Sequence, residues 1–143
     1  MSLESLYQKT ILEYAGMKQH NRKLEEVSNM ERGHNPSCGD DLTLLMNVKD
    51  GMVEDISFLG KGCAISTAST NMMIEAVKGK KVEDAQRTVK AFFDMMAGKE
   101  LSNEEIDAIG DAEILEFTSG MPARIKCATL SWHSLDVIVN HKK

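Results

Sequence analysis

The feature that most constrains the fold is an alternation of apolar residues on both sides of an Asp-Gly pair. In residues 42–49 and 52–59, apolar side chains recur with a period of two, as in β-strands with one buried face. Asp50-Gly51 lies between them and is a preferred pair for a type I′ turn, because both central positions need a positive φ. We therefore predict a β-hairpin, and a weaker pattern over Val27–Arg32 predicts a short edge strand.

Helical periodicity accounts for most of the remaining chain. Helices are predicted for residues 3–15, 64–78, 82–97, 102–109 and 123–139. In the first helix, Leu3, Leu6 and Leu12 belong to the predicted buried stripe. The fourth helix begins with a capping box formed by Ser102 and Glu105. These elements predict an α+β fold, in which a small antiparallel sheet of a hairpin and an edge strand packs with about five helices.

Length and charge limit what the chain can do. Its 143 residues suit one domain, which we predict to span residues 1–143. A net charge of −5 disfavours nucleic-acid binding, because phosphate contacts need a surplus of Lys and Arg. No apolar run approaches the roughly 20 residues of a membrane helix, and the N-terminal sequence lacks the basic and apolar regions of a signal peptide. We expect a cytoplasmic protein that binds neither membranes nor nucleic acid.

Three cysteines carry the candidate chemistry. Cys38 lies in a segment rich in turn-forming residues (33–41), which we predict to be a loop. Cys63 lies where a strand gives way to a helix, and Cys127 lies near the start of the last helix. Both positions predict a lowered thiol pKa, because a helix N-terminus stabilises negative charge. Asp40 is two residues from Cys38, so one turn can direct both side chains to one point.

The residue pattern leaves several chemistries open. Three thiolates and the Asp40 carboxylate complete a tetrahedron around zinc, or hold part of an iron–sulfur cluster. Lone cysteines also serve as small apolar core residues. His34, four residues before Cys38, is a candidate base for a nucleophilic cysteine, although no second orienting residue accompanies it. An odd number of cysteines without an export signal argues against disulfides, so the pattern predicts a metal site or a reactive thiol.

Three stretches of the sequence resemble the SufU/IscU family of iron–sulfur cluster assembly proteins, whose fold is NifU N-terminal-like. They are Asn-Pro-Ser-Cys-Gly-Asp at 35–40, Phe-Leu-Gly-Lys-Gly-Cys-Ala-Ile-Ser at 58–66 and Arg-Ile-Lys-Cys at 124–127. Two further features are similar to the SufU branch. Lys126 stands where scaffolds of the IscU kind have a His, and residues 98–121 form an expected insertion.

The resemblance implies both a site and an activity. In the SufU branch, the matching residues Cys38, Asp40, Cys63 and Cys127 hold zinc. The zinc protein accepts persulfide sulfur from a SufS-like cysteine desulfurase that contains pyridoxal phosphate, and Cys38 is the implied catalytic acceptor. Downstream cluster-assembly proteins would be further partners. The expected activity is therefore that of a zinc-dependent sulfurtransferase acting with a cysteine desulfurase.

Two other functions use the same residues. The first is a non-enzymatic scaffold that assembles a transient [2Fe–2S] cluster, against which Lys126 counts because lysine is a poor cluster ligand. The second is a structural zinc domain that serves only interaction. Asp40 counts against that alternative, because structural zinc sites are more often built from Cys and His alone.

Overall fold

A three-stranded antiparallel sheet of order β1-β2-β3 packs against helices. The computed structural model describes residues 2–141. The helices are α1 (Leu3–Ala15), α2 (Ala64–Val77), α3 (Val82–Met96), α4 (Asn103–Ile109) and α5 (Pro122–Asp136), and the strands are β1 (Asn29–Asn35), β2 (Asp40–Lys49) and β3 (Met52–Lys61). A 3-10 segment (Gly110–Thr118) follows α4, and a π-helical turn (Val137–His141) follows α5. The predicted α+β class is confirmed.

The hairpin of β2 and β3 has the predicted turn, since Asp50 and Gly51 adopt φ angles of 53° and 76°. The first hairpin is longer than predicted. The ladder between β1 and β2 continues to the pair Asn35↔Asp40, so only residues 36–39 form a turn. The prediction of a loop over residues 33–41 was therefore wrong at both ends, because backbone pairing carries both strands into a segment whose composition favours turns. As a result Asp40 lies on a strand.

Helices α2 and α5 pack against each other in the interior of the fold. Ser69 of α2 donates a hydrogen bond to the carbonyl of Ala128 on α5 (2.5 Å) and accepts one from the indole nitrogen of Trp132 (3.0 Å). The Trp132 ring stacks on Phe92 of α3 with ring centroids 4.0 Å apart. Small and hydroxylated residues on α2 thus let α5 approach closely while their polar atoms stay paired.

Helix α1 buries a narrower stripe than the sequence predicts. Tyr7 and Ile11 are buried, whereas Leu3, Leu6 and Leu12 are 60%, 44% and 71% exposed. Tyr7 and Ile11 are four residues apart and therefore share one side of the helix, while Leu12 is turned about 100° away from Ile11. A helix at the edge of a small domain contacts its neighbours along one row of side chains, which leaves the flanking leucines in solvent.

The segment 98–121 is ordered and contributes to the core. Ser102 and Glu105 form the predicted capping box at the start of α4. Behind it, Ile109, Ala112 and Leu115 are fully buried. That this segment is an insertion relative to IscU scaffolds stays a prediction, as does the single domain over residues 1–143.

Candidate metal centre

Side chains from three elements converge beside the turn between β1 and β2. Cys38 comes from the turn, Asp40 is the first residue of β2, and Cys127 projects from α5. One ligand atom from each of the three lies within 4.8 Å of the other two. The sulfur atoms of Cys38 and Cys127 are 3.1 Å apart. Cys63 immediately precedes α2, and its sulfur lies 3.9 Å from Oδ2 of Asp40. The structure therefore brings Cys38, Asp40 and Cys127 into one cluster and places Cys63 beside Asp40, outside the group of mutually close ligand atoms.

The four residues differ in their access to solvent. Cys38 is exposed and Cys63 is half-buried. In contrast, Cys127 is 4% exposed and Asp40 is 0% exposed. Of the four, Cys38 is the most exposed.

The prediction that Cys127 lies at a helix start and has a lowered thiol pKa was wrong. The prediction that Cys63 lies at a helix start is confirmed. Helix α5 begins at Pro122, so Cys127 lies beyond the first turn and faces the protein interior. Burial raises the pKa of the Cys127 thiol, and the neighbouring Cys38, Cys63 and Asp40 raise it further. Cys63 is the N-cap residue of α2, and its sulfur accepts a hydrogen bond from the backbone N–H of Ser66 (3.5 Å).

Asp40 is a buried carboxylate held by hydrogen-bond donors. Its Oδ1 accepts the backbone N–H of Cys63 at 2.7 Å and the hydroxyl of Ser66 at 3.0 Å. None of the ion pairs formed within residues 2–141 involves Asp40. Burying a carboxylate without a counter-charge is costly. A cation beside Oδ2 would offset part of that cost.

The donor set fits zinc. Zinc is commonly four-coordinate and takes thiolate sulfur, imidazole nitrogen and carboxylate oxygen as ligands. Two thiols and one carboxylate form the cluster, and the Cys63 thiol lies beside its carboxylate. A dication would favour the ionised form of Cys127, whose thiol pKa is raised by burial. The same donors also fit part of an iron–sulfur cluster.

Three residues around the centre were not singled out from the sequence. Asn35 is buried and directs its side-chain nitrogen at the sulfur of Cys127, 4.0 Å away. Ser66 is buried beside Asp40. Burial raises the pKa of Tyr7, the Arg124 guanidinium opposes this rise, and the nearby Cys63 and Cys127 thiols add to it.

The sequence did contain a signal for two of them, since Asn35 and Ser66 both lie within the stretches that carry the family resemblance. Their side chains are short and polar in segments that approach a cysteine, which is the expected position of a supporting hydrogen-bond donor. Tyr7 gave no such signal, because it is remote in sequence and fits an ordinary helix stripe.

Two other candidates lie outside the cluster. His34 is exposed on β1, and no hydrogen bond within the described part of the chain joins it to Cys38. Lys126 is exposed on α5. The structure thus offers no support for a Cys–His pair, and Lys126 has the exposure of a solvated helix residue.

The fold and the site define a small α+β protein with a cluster of three thiols and a carboxylate suited to a metal. The sequence profile of the NifU-like N-terminal domain matches residues 6–128. The chain belongs to this family, within the SufU/IscU group of iron–sulfur cluster assembly proteins.

Two relatives and one solved structure illustrate the similarity. The zinc-dependent sulfurtransferase SufU of Bacillus subtilis is 43% identical over 94% of this chain and 90% of the relative. The iron–sulfur cluster assembly scaffold protein IscU of Streptococcus pyogenes is 38% identical over 93% of this chain and 82% of the relative. A crystal structure described as a candidate SUF-system scaffold from Fervidobacterium islandicum superposes with a TM-score of 0.86. It has 34% identity and covers 96% of this chain and 98% of the other.

Residues 2–141 contain no helix with the length and apolar character needed to cross a lipid bilayer.

Proposed function

We propose that this chain is a zinc-dependent sulfurtransferase of iron–sulfur cluster assembly, which accepts persulfide sulfur on Cys38 from a pyridoxal-phosphate cysteine desulfurase. The observation that carries the proposal is the unequal burial of the four donors. Cys38 is exposed, whereas Cys127 and Asp40 lie in the interior only a few ångströms away. One donor can therefore meet a second protein while the others stay in place.

The proposed transfer is a thiol exchange. The Cys38 thiolate attacks the terminal sulfur of the persulfide on the desulfurase, and the sulfur–sulfur bond of that persulfide breaks. The desulfurase cysteine leaves as a thiolate, and the terminal sulfur ends on Cys38 as a new persulfide. Zinc, when bound by Cys38, Asp40, Cys63 and Cys127, supplies the positive charge that keeps the thiols ionised and shields them from oxidation.

The surrounding residues hold the remaining donors while Cys38 reacts. Cys63 is fixed as the N-cap of α2, and Cys127 is carried by a helix packed in the core. Cys38 belongs to a four-residue turn in which Gly39 has a φ of 73°. The reacting thiol is thus on the element of the site with the least packing around it.

Similarity supports the same role. The relative with 43% identity is named a zinc-dependent sulfurtransferase, and this chain spans 90% of it. Three free cysteines also suit a reducing compartment, so the proposal places the reaction in the cytoplasm. Downstream cluster-assembly proteins would then take the sulfur from Cys38.

The second candidate is a scaffold for a transient [2Fe–2S] cluster at the same residues. It is favoured by the names of the relative from Streptococcus pyogenes and the solved structure from Fervidobacterium islandicum. Exposed Lys126 offers no imidazole where scaffolds of the IscU kind have one. Anaerobic reconstitution with iron and sulfide tests this candidate, since a stable visible absorption of one cluster per chain or dimer would favour it over sulfur transfer.

Mapping the persulfide tests the acceptor assignment. Zinc-loaded protein is incubated with the desulfurase and cysteine without reductant, and its thiols are then alkylated and located by peptide mass spectrometry. We expect the additional sulfur on the peptide that contains Cys38. In Cys38→Ser, which should fold and keep some metal, we expect no persulfide. Persulfide forming at a normal rate on Cys63 or Cys127 of that variant would overturn the assignment.

A further inference from the structure

The two oxygens of the Asp40 carboxylate have different environments. Oδ1 accepts two hydrogen bonds, from the Cys63 backbone at 2.7 Å and from the Ser66 hydroxyl at 3.0 Å. Oδ2 is the oxygen that approaches a thiol, 3.9 Å from the sulfur of Cys63. A carboxylate with two donors on one oxygen is prevented from rotating, so Oδ2 keeps its direction towards the sulfur atoms.

Ser66 is itself held in position. It is 1% exposed in the first turn of α2, and its oxygen lies 3.5 Å from the sulfur of Cys63. Its single hydroxyl proton faces Oδ1 of Asp40 at 3.0 Å and the carbonyl oxygen of Cys63 at 3.1 Å, and an ionised carboxylate is the stronger acceptor. A Cβ atom added at Gly62 would stand 2.3 Å from the Ser66 oxygen and 3.1 Å from Oδ1 of Asp40. The glycine therefore leaves only enough room for this contact, and neither side chain can move aside easily.

We propose that Ser66 is a positioning residue that restricts Asp40 to ligation through Oδ2 alone. The inference rests on the proposed function, because it takes Asp40 to be a zinc ligand. Oδ1 stays bound to Ser66 and to the Cys63 backbone, so the carboxylate cannot turn its second oxygen into the position that Cys38 leaves during transfer. That position stays open to the partner, and Oδ2 stays aimed at the site.

The test compares Ser66→Ala with wild-type protein. Loss of the hydroxyl removes one of the two donors on Oδ1, and losing such a supporting hydrogen bond typically lowers metal affinity by about 10- to 100-fold. We expect zinc affinity, measured by competition with a chelator, to fall by at least about tenfold. With Co²⁺ in place of zinc, we expect the intense visible bands of a four-coordinate site to weaken as the carboxylate takes up other orientations.

Ser69→Ala is the matched control. Ser69 lies on the same helix, is also 1% exposed, and makes two hydrogen bonds to α5, but it does not contact Asp40. Its loss should lower the unfolding temperature comparably, while zinc affinity and the Co²⁺ spectrum remain those of the wild type. If Ser66→Ala matches Ser69→Ala in zinc affinity or in the Co²⁺ spectrum, the positioning role is wrong.

A double-mutant cycle with Asp40→Ala separates this inference from the proposed function. If Ser66 acts through Asp40, Ser66→Ala causes no further loss of zinc affinity once Asp40 is alanine. Additive losses would show that Ser66 acts by another route and would overturn the inference. If Asp40→Ala alone leaves zinc affinity unchanged, Asp40 is not a ligand, and both the proposed site and this inference fail. If Asp40→Ala lowers the affinity and Ser66→Ala does not, only this inference fails.

Discussion

The turn that carries Cys38 and the floor beneath it, formed by Asp40, Ser66 and Cys127, are adjacent in space but differ in packing. Cys38 is exposed, and a side chain added at Gly39 would meet nothing within 4 Å. The three floor residues are each at most 4% exposed and are hydrogen-bonded to one another or to neighbouring donors. Under the proposed function, this difference lets Cys38 leave the metal while the buried donors hold it.

The largest expected effect on zinc binding comes from removing the Asp40 carboxylate. In Asp40→Ala the protein should still fold, because the change leaves the apolar core intact and costs only the pairing of two donors, the Cys63 backbone N–H and the Ser66 hydroxyl. We expect the purified variant to lose its zinc, or to keep an assembled cluster longer, since one exchangeable ligand is gone. Metal analysis after gel filtration measures the zinc, with Cys38→Ser as the comparison that should keep part of it. Unchanged zinc content and unchanged sulfur transfer would show that Asp40 is not a ligand.

Substitution of two glycines should have intermediate effects on stability and zinc affinity. Gly62 lies beside Asp40 and Ser66, and Gly39 lies in the turn with Cys38, so the pair compares the floor with the turn. Gly62→Ala forces a Cβ atom to 2.3 Å from the Ser66 oxygen, and such overpacking should cost about 1–3 kcal/mol of unfolding free energy. Zinc affinity should fall with it, because Asp40 is displaced. Gly39→Ala strains a residue with a φ of 73° and should cost about 1 kcal/mol, with zinc affinity unchanged. Denaturant unfolding and chelator competition measure both variants.

A larger loss of zinc affinity in Gly39→Ala than in Gly62→Ala would reverse this order. It would show that the turn, and not the floor, determines metal binding.

The smallest expected effect is on the outer surface of the same hairpin. Arg32 donates two hydrogen bonds to Asp41 at 2.8 and 2.6 Å, and the contact with Arg32 holds the pKa of the Asp41 carboxyl below its usual range. Both side chains are about half exposed, so solvent and salt screen the pair. Arg32→Ala should leave zinc affinity unchanged and cause little change in unfolding temperature at moderate salt. A clear loss of zinc would mean that this ion pair orients Asp40 through the neighbouring Asp41.

The sequence alone could predict the elements but not how deeply each is buried. The hairpin around Asp50-Gly51 and the capping box at Ser102 are local signals, and both are confirmed. The exposure of Leu3 and Leu12 is not local, because it depends on how many neighbours α1 has. The β1–β2 ladder likewise continues through turn-forming residues because strand pairing outweighs their preference for loops.

For the site, the sequence could predict which residues meet but not how deeply each is buried. Cysteines beside Gly and Asp indicate a metal or a reactive thiol, and the structure brings those residues together. The length of α5 before Cys127 decides that this thiol is buried, and helix starts are hard to place from sequence. Burial of His20 is also hard to predict from sequence. It lies in a polar stretch, yet it is 5% exposed and its ring nitrogen lies 2.7 Å from the Glu75 carboxylate.

The most direct test of the account is alanine production by the cognate cysteine desulfurase, measured with and without the zinc-loaded protein and without added thiol reductant. We predict strong stimulation by the wild-type protein and none by Cys38→Ser, because only an exposed and releasable thiol can take the persulfide from the enzyme. An absence of stimulation by the wild-type protein, or equal stimulation by Cys38→Ser, would contradict the proposed sulfurtransferase.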